Sequence, residues 1–280
     1  MPRIFDFGGR DVERTVTVAS LKALKRSTAR FAQVTAETAE EAAAAEAAGI
    51  EMVVCRATNV PRVREGSTTV FVTAALGFAD AVTDDEMLRT AFRALNAGAD
   101  AVITGRRPQS VRRLADEDVP VMGHLGFVPR KSTWLGSVRA VGKTAGEAMA
   151  LWDRFRRLED AGAVGVECEL IPAQVMQEIN RRTGLVTVSL GSGSEANVIF
   201  LFTSDICGEG SRSPRHAGAY GNLAALQARI RKERVKALAA FRADVAASKF
   251  PSEGKIAKID SRELALFIHR LGDGEPPEHG

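Results

Sequence analysis

The sequence predicts a closed (β/α)8 barrel, an α/β fold of the TIM barrel type in which eight parallel strands alternate with helices. Short apolar runs alternate along the chain with longer stretches of helical periodicity, which is typical of repeated strand and helix units. Several helical stretches end in Ala-Gly just before the next apolar run, and glycine supplies the left-handed turn that leads back to the sheet. An open, doubly wound sheet is the alternative. Eight strand signals within roughly 210 residues favour the barrel, which needs about that length.

The predicted elements follow one another in the order that a barrel requires. An amphipathic stretch at 17–25 precedes the first strand. The segment 57–68, between the second and third strands, contains a proline and no convincing helical pattern, so we expect its helix to be missing or reduced. The predicted strands are 31–34, 52–55, 69–74, 101–103, 119–122, 164–168, 186–190 and 203–207. The predicted helices are 38–48, 84–97, 110–115, 145–161, 172–182, 195–201 and 222–248.

The barrel is expected to account for most of the chain. Residues 1–258 are predicted to form one barrel domain with an N-terminal extension, and 259–280 a short helix at 261–270 followed by a tail. That tail, GDGEPPEHG, is too polar and too rich in proline and glycine to pack, so we expect it to be disordered.

The composition favours a protein that acts on small molecules. The chain has 38 Lys and Arg against 35 Asp and Glu, and a formal charge of +3 is too slight to indicate a nucleic acid or an anionic membrane as partner. The three cysteines are far apart, without metal-ligand spacing and without the even number of a disulfide framework. The N-terminus has no continuous apolar run. We therefore expect a cytoplasmic enzyme.

Two strand ends carry candidate catalytic residues, because the chemistry of a barrel lies at the carboxyl ends of its strands. His124 follows the fifth predicted strand, where it would donate to a substrate oxygen or act as an acid; the alternative is a structural histidine bonded to a loop. Glu167 and Glu169 end the sixth strand, and alternation points both to the same side. One or both are solvated, or one is a general base with a raised pKa.

Arginines and a glycine-rich turn follow other strands. Arg56 ends the second strand, and Arg106 with Arg107 follows the fourth; they either bind a carboxylate or phosphate or are solvated loop residues. Gly191 and Ser192 open the turn GSGSEA after the seventh strand. That turn fits either a dinucleotide or a phosphate or carboxylate held by backbone N–H groups.

The order and spacing of these motifs resemble the ketopantoate hydroxymethyltransferase family over most of the chain. The resemblance is strongest at 119–251. The motifs that carry it are GHLGFVP, WLGSVRAVGKTAGEA, CELIPAQVMQEI, VSLGSGSEAN, SDICG, PRHAGAY and SKFP.

The resemblance implies a barrel of the phosphoenolpyruvate and pyruvate superfamily, assembled as a homodecamer. It also implies pantothenate biosynthesis: ketopantoate is made from 3-methyl-2-oxobutanoate and methylenetetrahydrofolate with magnesium. Glu169, three residues before Pro172, matches the family's catalytic glutamate, and His124 matches its substrate-site histidine.

The magnesium ligands of the family have no counterparts. The two positions that match its aspartates are Ala57 and Ala75, and the element after strand four, with its lysine and glutamate, has become VITGR. Alanine offers no ligand to a cation that prefers oxygen. We therefore predict no metal ligands and hypothesise that Arg56, with Arg106 or Arg107, binds the substrate carboxylate and offsets enolate charge, with Glu37 as a further acid in the mouth.

Three functions follow from this pattern. The first is one-carbon transfer to a 2-oxo acid by aldol chemistry, with Glu169 as base and His124 as polar partner. The second is a metal-independent 2-oxo acid lyase or aldolase of the same superfamily. The third is a catalytically silent paralogue with a binding role, which the loss of metal ligands favours.

Overall fold

A computed structural model of the chain describes residues 3–77, 81–210 and 217–272, and its core is a closed barrel of parallel strands. A short antiparallel pair, β1 (Arg3–Phe5) and β2 (Asp11–Glu13), precedes it. The barrel strands are β3 (Phe31–Thr35), β4 (Met52–Arg56), β5 (Phe71–Ala75), β6 (Ala101–Ile103), β7 (Val121–Gly126), β8 (Gly165–Glu169), β9 (Val186–Leu190) and β10 (Val198–Leu201). They pair in chain order, and β10 closes the ring against β3.

Helices follow the strands in turn. The helices are α1 (Val18–Leu24), α2 (Ala39–Ala47), α3 (Val60–Gly66), α4 (Asp84–Asn96), α5 (Pro108–Ala115), α6 (Ser132–Leu135), α7 (Ala145–Asp160), α8 (Ala173–Asn180), α9 (Thr203–Ile206), α10 (Leu223–Ala246) and α11 (Ser261–Gly272). Thr38 and Thr83 each begin their helices with a reciprocal capping box, in which a glutamate three residues later bonds back to the cap. Within the described residues, no helix combines the length and apolarity needed to cross a membrane.

The barrel and the C-terminal helices fall into separate units. Met1–Asn222 is one compact unit and contains all barrel strands, and Leu223–Gly280 is the other and contains α10 and α11. The domain boundary predicted at residue 258 stays a prediction. Most of the tail predicted to be disordered, 273–280, lies outside the described residues.

Two apolar cores arise from strand alternation. Outward side chains such as Val166 and Cys168 pack under the helices, whereas inward ones such as Met122 and Val188 fill the barrel. Leu21 and Leu24 of α1 belong to the inner core, so α1 closes the end of the barrel where the strands begin. The opposite end, where the strands finish, is left for the site.

The hydrogen-bonded register arranges the inward side chains in layers of four, contributed by alternate strands. Three layers lie toward the open end, and a fourth forms the floor beneath them. From the open end inward, the upper layer is Arg56, Gly105, Glu169 and Phe202, the middle layer Thr35, Ala75, His124 and Leu190, the lower layer Val54, Ile103, Glu167 and Phe200, and the floor layer Gln33, Thr73, Met122 and Val188.

The predicted barrel is confirmed, and seven of its predicted strands overlap observed ones. The eighth prediction was wrong: residues 198–201, assigned to a helix, form β10, and 203–207, assigned to a strand, begin with helix α9. A short apolar run such as VIFL has no periodicity that separates a buried strand from a helix. The segment 57–68 also contains a full helix, α3, because Pro61 lies in its first turn, where no N–H is needed.

Candidate active site

A cavity of about 290 Å³ opens at the carboxyl ends of the strands. Its wall consists of the upper, middle and lower layers, and loop residues, including Glu37, Thr104 and Pro129, complete it. The lining combines aromatic and aliphatic side chains with charged ones. The position is the one at which barrel enzymes bind their substrates.

His124 lies between two glutamates on the polar part of the wall. Its Nε2 is 3.0 Å from Glu169 Oε2 and 3.1 Å from the carbonyl oxygen of Phe127, and its Nδ1 is 3.7 Å from Glu167 Oε1. A carbonyl oxygen can only accept, so Nε2 carries a hydrogen and donates it. The side chains of His124 and Glu167 are each 9% exposed, and that of Glu169 is 14% exposed.

Neighbouring strands bring these three residues together. His124 pairs with Glu167 in the register of β7 with β8, and Gly126 pairs with Glu169 one step further toward the open end. Gly126 has φ +85°, and a Cβ there would lie 2.1 Å from the carbonyl oxygen of Glu169. That oxygen accepts a hydrogen bond from Phe127 N at 2.8 Å. The backbone of β7 therefore fixes the residue from which the Glu169 carboxylate projects.

Burial and charge act on the pKa values of this group. Burial alone lowers the pKa of His124, but the hydrogen bond with Glu169 and the charges of Glu167 and Glu169 outweigh it, so the pKa of His124 is raised. Burial raises the pKa of Glu167, the charge of His124 opposes this, and the charge of Glu169 adds to it. Proton loss from His124 and Glu167 is therefore shifted to higher pH.

Arg56 and Glu37 lie together at the rim. Both line the cavity, and the Arg56 side chain lies in the upper layer. The Glu37 carboxylate accepts hydrogen bonds from Arg56 N at 3.1 Å and from Asn59 Nδ2 at 2.7 Å. Glu37 thus holds the turn after β4. Among the described residues that line the cavity, Arg56 is the one arginine, and there is no lysine.

Three predicted substrate-binding residues lie outside that lining. Arg106 donates to the carbonyl oxygen of Val82 at 3.1 Å and borders a separate groove. Ser192 is buried: its Oγ donates to the carbonyl oxygen of Cys168 at 2.7 Å and accepts from Ile171 N at 2.9 Å. Gly191 adopts φ +69° in the same turn. This turn therefore braces the end of β8 on both sides of Glu169.

The magnesium site implied by the resemblance does not fit the residues present. Ala57 and Ala75 occupy its aspartate positions. The ligand atoms of His124, Glu167 and Glu169 lie within 4.8 Å of one another, as a metal site requires. However, these three side chains offer one imidazole nitrogen and two carboxylates, rather than the all-oxygen octahedral set that magnesium prefers.

Sequence reasoning missed two features of the lining. Phe200 and Phe202 enter the mouth from β10 and the residue just after it, and recognising 198–201 as a strand would have placed them there by alternation. Glu167 was placed on the same side as Glu169, but its position directly behind His124 follows only from the register of β7 with β8.

Comparison with known proteins relates the chain to one family. The family model described as Ketopantoate hydroxymethyltransferase matches residues 54–253. The 3-methyl-2-oxobutanoate hydroxymethyltransferase of Gluconacetobacter diazotrophicus is 29% identical over 280 residues, which cover 91% of this chain and 99% of that protein. Those of Pyrobaculum islandicum and Ignicoccus hospitalis are each 33% identical, over 50% and 62% of this chain. The matched regions span 55% and 64% of those two proteins, less than two thirds of each.

Solved structures agree on the fold. A phosphonopyruvate hydrolase in complex with oxalate and Mg++ is 12% identical, with a TM-score of 0.50, and the match covers 92% of this chain and 98% of that one. A 2,3-dimethylmalate lyase of the PEP mutase/isocitrate lyase superfamily is 14% identical, with a TM-score of 0.50 over 92% of this chain and 96% of that one. The barrel is of the type found in that superfamily.

Proposed function

Because this chain belongs to the ketopantoate hydroxymethyltransferase family, we propose that it transfers a one-carbon unit to C3 of a 2-oxo acid by aldol chemistry. The family makes it an enzyme of the transferase or lyase kind. The expected acceptor is 3-methyl-2-oxobutanoate, and the expected donor is methylenetetrahydrofolate. The observation that carries the proposal is the contact of His124 Nε2 with Glu169 Oε2 on the wall of the cavity.

This contact supplies both groups that enolisation needs. A 2-oxo acid places its C2 carbonyl oxygen next to its C3 hydrogen. When the C2 carbonyl oxygen replaces Glu169 as acceptor of the Nε2–H of His124, Glu169 Oε2, 3.0 Å from that nitrogen in the free protein, is left to face C3 and take its proton. The developing enolate oxygen is stabilised by the His124 hydrogen bond. C3 then forms a bond to the methylene carbon of the donor as the C2 carbonyl re-forms. Water supplies the hydroxyl oxygen, the two carbon–nitrogen bonds to the folate break, and tetrahydrofolate leaves with the proton taken by Glu169 and the second proton of the water.

The substrate carboxylate is assigned to Arg56. This guanidinium lies in the upper layer, across the mouth from Glu169, and its backbone is held by Glu37. A metal would supply chelation and positive charge to the enolate, but the residues at its family positions, Ala57 and Ala75, offer no ligand. We therefore assign charge compensation to Arg56 and His124. Substrate contacts by Arg106, Gly191 and Ser192 stay predictions.

Exchange of the C3 hydrogen of 3-methyl-2-oxobutanoate with deuterated water, followed by NMR, tests this proposal without the one-carbon donor. We expect the chelator-treated wild type to exchange this hydrogen and Glu169→Gln to be slower by about 100-fold or more, since a general base contributes that much. Glu178→Gln, which changes an exposed acid on α8, is the matched control and should exchange at the wild-type rate.

The same experiment separates the alternatives. Exchange only after magnesium is added would show that a metal acts in the site and would overturn the assignment to Arg56 and His124. No exchange in either condition, with an intact fold, would favour a lyase acting on a different acid or a silent paralogue. The open, partly polar cavity favours an enzyme over a silent protein.

Assembly and location complete the proposal. We propose a homo-oligomer, a decamer by family resemblance, that acts in the cytoplasm without a nucleic acid or membrane partner.

A further inference from the structure

Glu167 is a buried acid in an otherwise apolar layer. Its three neighbours in the lower layer are Val54, Ile103 and Phe200. The residue is 7% exposed and lies deeper in the barrel than Glu169. A carboxyl group in such surroundings costs free energy unless another group compensates for it. The proposed chemistry does not use Glu167, so its place behind the site requires a separate explanation.

The surroundings of Glu167 leave its compensation to His124. Among the described residues, the Glu167 carboxylate has one ion-pair partner within 4.0 Å, which is His124 Nδ1 at 3.7 Å. The floor layer beneath contains Thr73, whose Oγ1 is buried and has no hydrogen-bond partner, so it donates nothing to Glu167. The Glu167 carboxyl group therefore interacts with the imidazole ring of His124 in the layer above it.

We propose that Glu167 is a positioning residue for His124. Its carboxylate holds the imidazole ring with Nε2–H toward the cavity and keeps an additional proton on Nδ1. His124 then presents to the 2-oxo acid a proton donor backed by positive charge. The inference rests on the proposed function only in taking a 2-oxo acid as the ligand. The orientation and proton content of His124 are properties of the protein without substrate.

The charges around His124 favour this arrangement. Glu167 and Glu169 face it from β8, Glu37 lies at the end of β3, and Arg56 lies at the end of β4. Among the residues that the structure describes, these three acids and one arginine give the ring negative surroundings, which stabilise an added proton. In the proposed arrangement that proton lies on Nδ1, and the Glu167 carboxylate that faces it stabilises the imidazolium.

The arrangement also accounts for a site that lacks metal ligands. Enolate formation requires positive charge near the C2 oxygen, and the family positions for magnesium are Ala57 and Ala75. A histidine whose far nitrogen is paired with a buried acid supplies that charge from β7 instead. A carboxylate behind a histidine fixes the ring orientation and the nitrogen that carries the hydrogen.

NMR of the protein labelled with 15N-histidine tests the inference directly. The chain has four histidines, so a His124 variant identifies the signal. In Glu167→Gln, we expect the midpoint of the His124 titration to fall by about one pH unit or more, because an opposite charge nearby is lost. Glu167→Asp, which keeps the charge, should restore most of the difference. Thr73→Val, a neutral change in the floor layer, is the packing control and should leave the midpoint unchanged.

The outcomes separate this inference from the proposed function. An unchanged His124 midpoint in Glu167→Gln would overturn it, as would an equal fall in Thr73→Val. If Glu167→Gln does not fold, the wild type decides: the 15N shifts of its neutral His124 ring show which nitrogen carries the hydrogen, and a hydrogen on Nδ1 rather than Nε2 would overturn the inference. Failure of the wild type to exchange C3 hydrogen would remove the proposed function and leave the titration result standing.

Discussion

Arg56 and Arg106 were both predicted to bind the substrate carboxylate, and the structure separates them. Arg56 lines the cavity, and Arg106 borders another groove with its guanidinium bonded to Val82. We expect Arg56→Ala to raise the KM for 3-methyl-2-oxobutanoate in the exchange reaction by about tenfold or more, because a charged hydrogen bond contributes about 1.5 to 3 kcal/mol. Arg106→Ala tests the second predicted contact, and KM should be unchanged if Arg56 alone binds the carboxylate. Steady-state exchange rates measure both, and equal effects would contradict the assignment to Arg56 alone.

At the residue scale, the direction of a side chain can be predicted from sequence where it projects directly from a strand. His124, Glu169 and Arg56 line the cavity because alternation and the strand end fix their direction. The direction of Arg106 and Ser192, which lie outside the lining, depends on the path of a loop that periodicity does not determine, and their substrate contacts stay predictions. The buried hydroxyl of Ser192, for example, bonds to the end of β8 rather than facing the mouth.

At the scale of elements, the close approach of β7 and β8 depends on one glycine. Gly126 has positive φ, and an added Cβ would lie 2.1 Å from the Glu169 carbonyl oxygen and 2.8 Å from Ile171 Cγ1. We expect Gly126→Ala to lower the free energy of unfolding by about 3 kcal/mol or more, from left-handed strain plus displacement of β8. The displacement should also slow C3 exchange, since it moves Glu169.

The control for this change is Gly136→Ala. Gly136 also has positive φ, +72°, but nothing lies within 4 Å of its added Cβ. Its cost should therefore be the backbone strain alone, about 1 kcal/mol, with exchange unaffected. Urea unfolding and exchange rates measured on both variants decide the matter. Equal destabilisation would mean that contact with β8 contributes little.

Prediction of elements was limited by short segments. Long stretches with a clear helical period, such as α4 and α7, were predicted within about two residues, the usual uncertainty at helix ends. β10 was mistaken for a helix because four apolar residues fit either structure, and α3 was missed because a proline was taken as a helix breaker. Only closure of the barrel shows that an eighth strand must lie at 198–201.

At the scale of the whole molecule, the shear of the barrel determines which acidic side chains lie next to His124. The one-residue stagger between strands places Glu167 one layer below His124 and Glu169 one layer above it, on a neighbouring strand. Local pattern in β8 predicts only that both glutamates face the same side. Which of them lies behind His124 and which lies above it depends on the register of β7 with β8.

The burial of this group also affects how stability depends on pH. Folding raises the pKa values of His124 and Glu167, so the folded chain binds more protons than the unfolded one between the unfolded and folded values. The contribution of His124 is complete below its unfolded pKa of about 6.5 and is lost as pH rises through the folded value. Glu167 acts in the same direction, from about 4.3 upward. Stability supplied by the pair therefore falls as pH rises.

Removing both groups should remove this slope. In the double variant with His124→Gln and Glu167→Gln, no proton is lost from the pair. We therefore expect the free energy of unfolding of the wild type, measured with urea, to fall more steeply between about pH 6 and pH 9 than that of the double variant. Titrating groups that do not contact the pair contribute equally to both proteins and cancel in the difference. Parallel curves would mean that the two side chains hold no more protons when folded than when unfolded, and His124 would then lack the positive charge on which its proposed role depends.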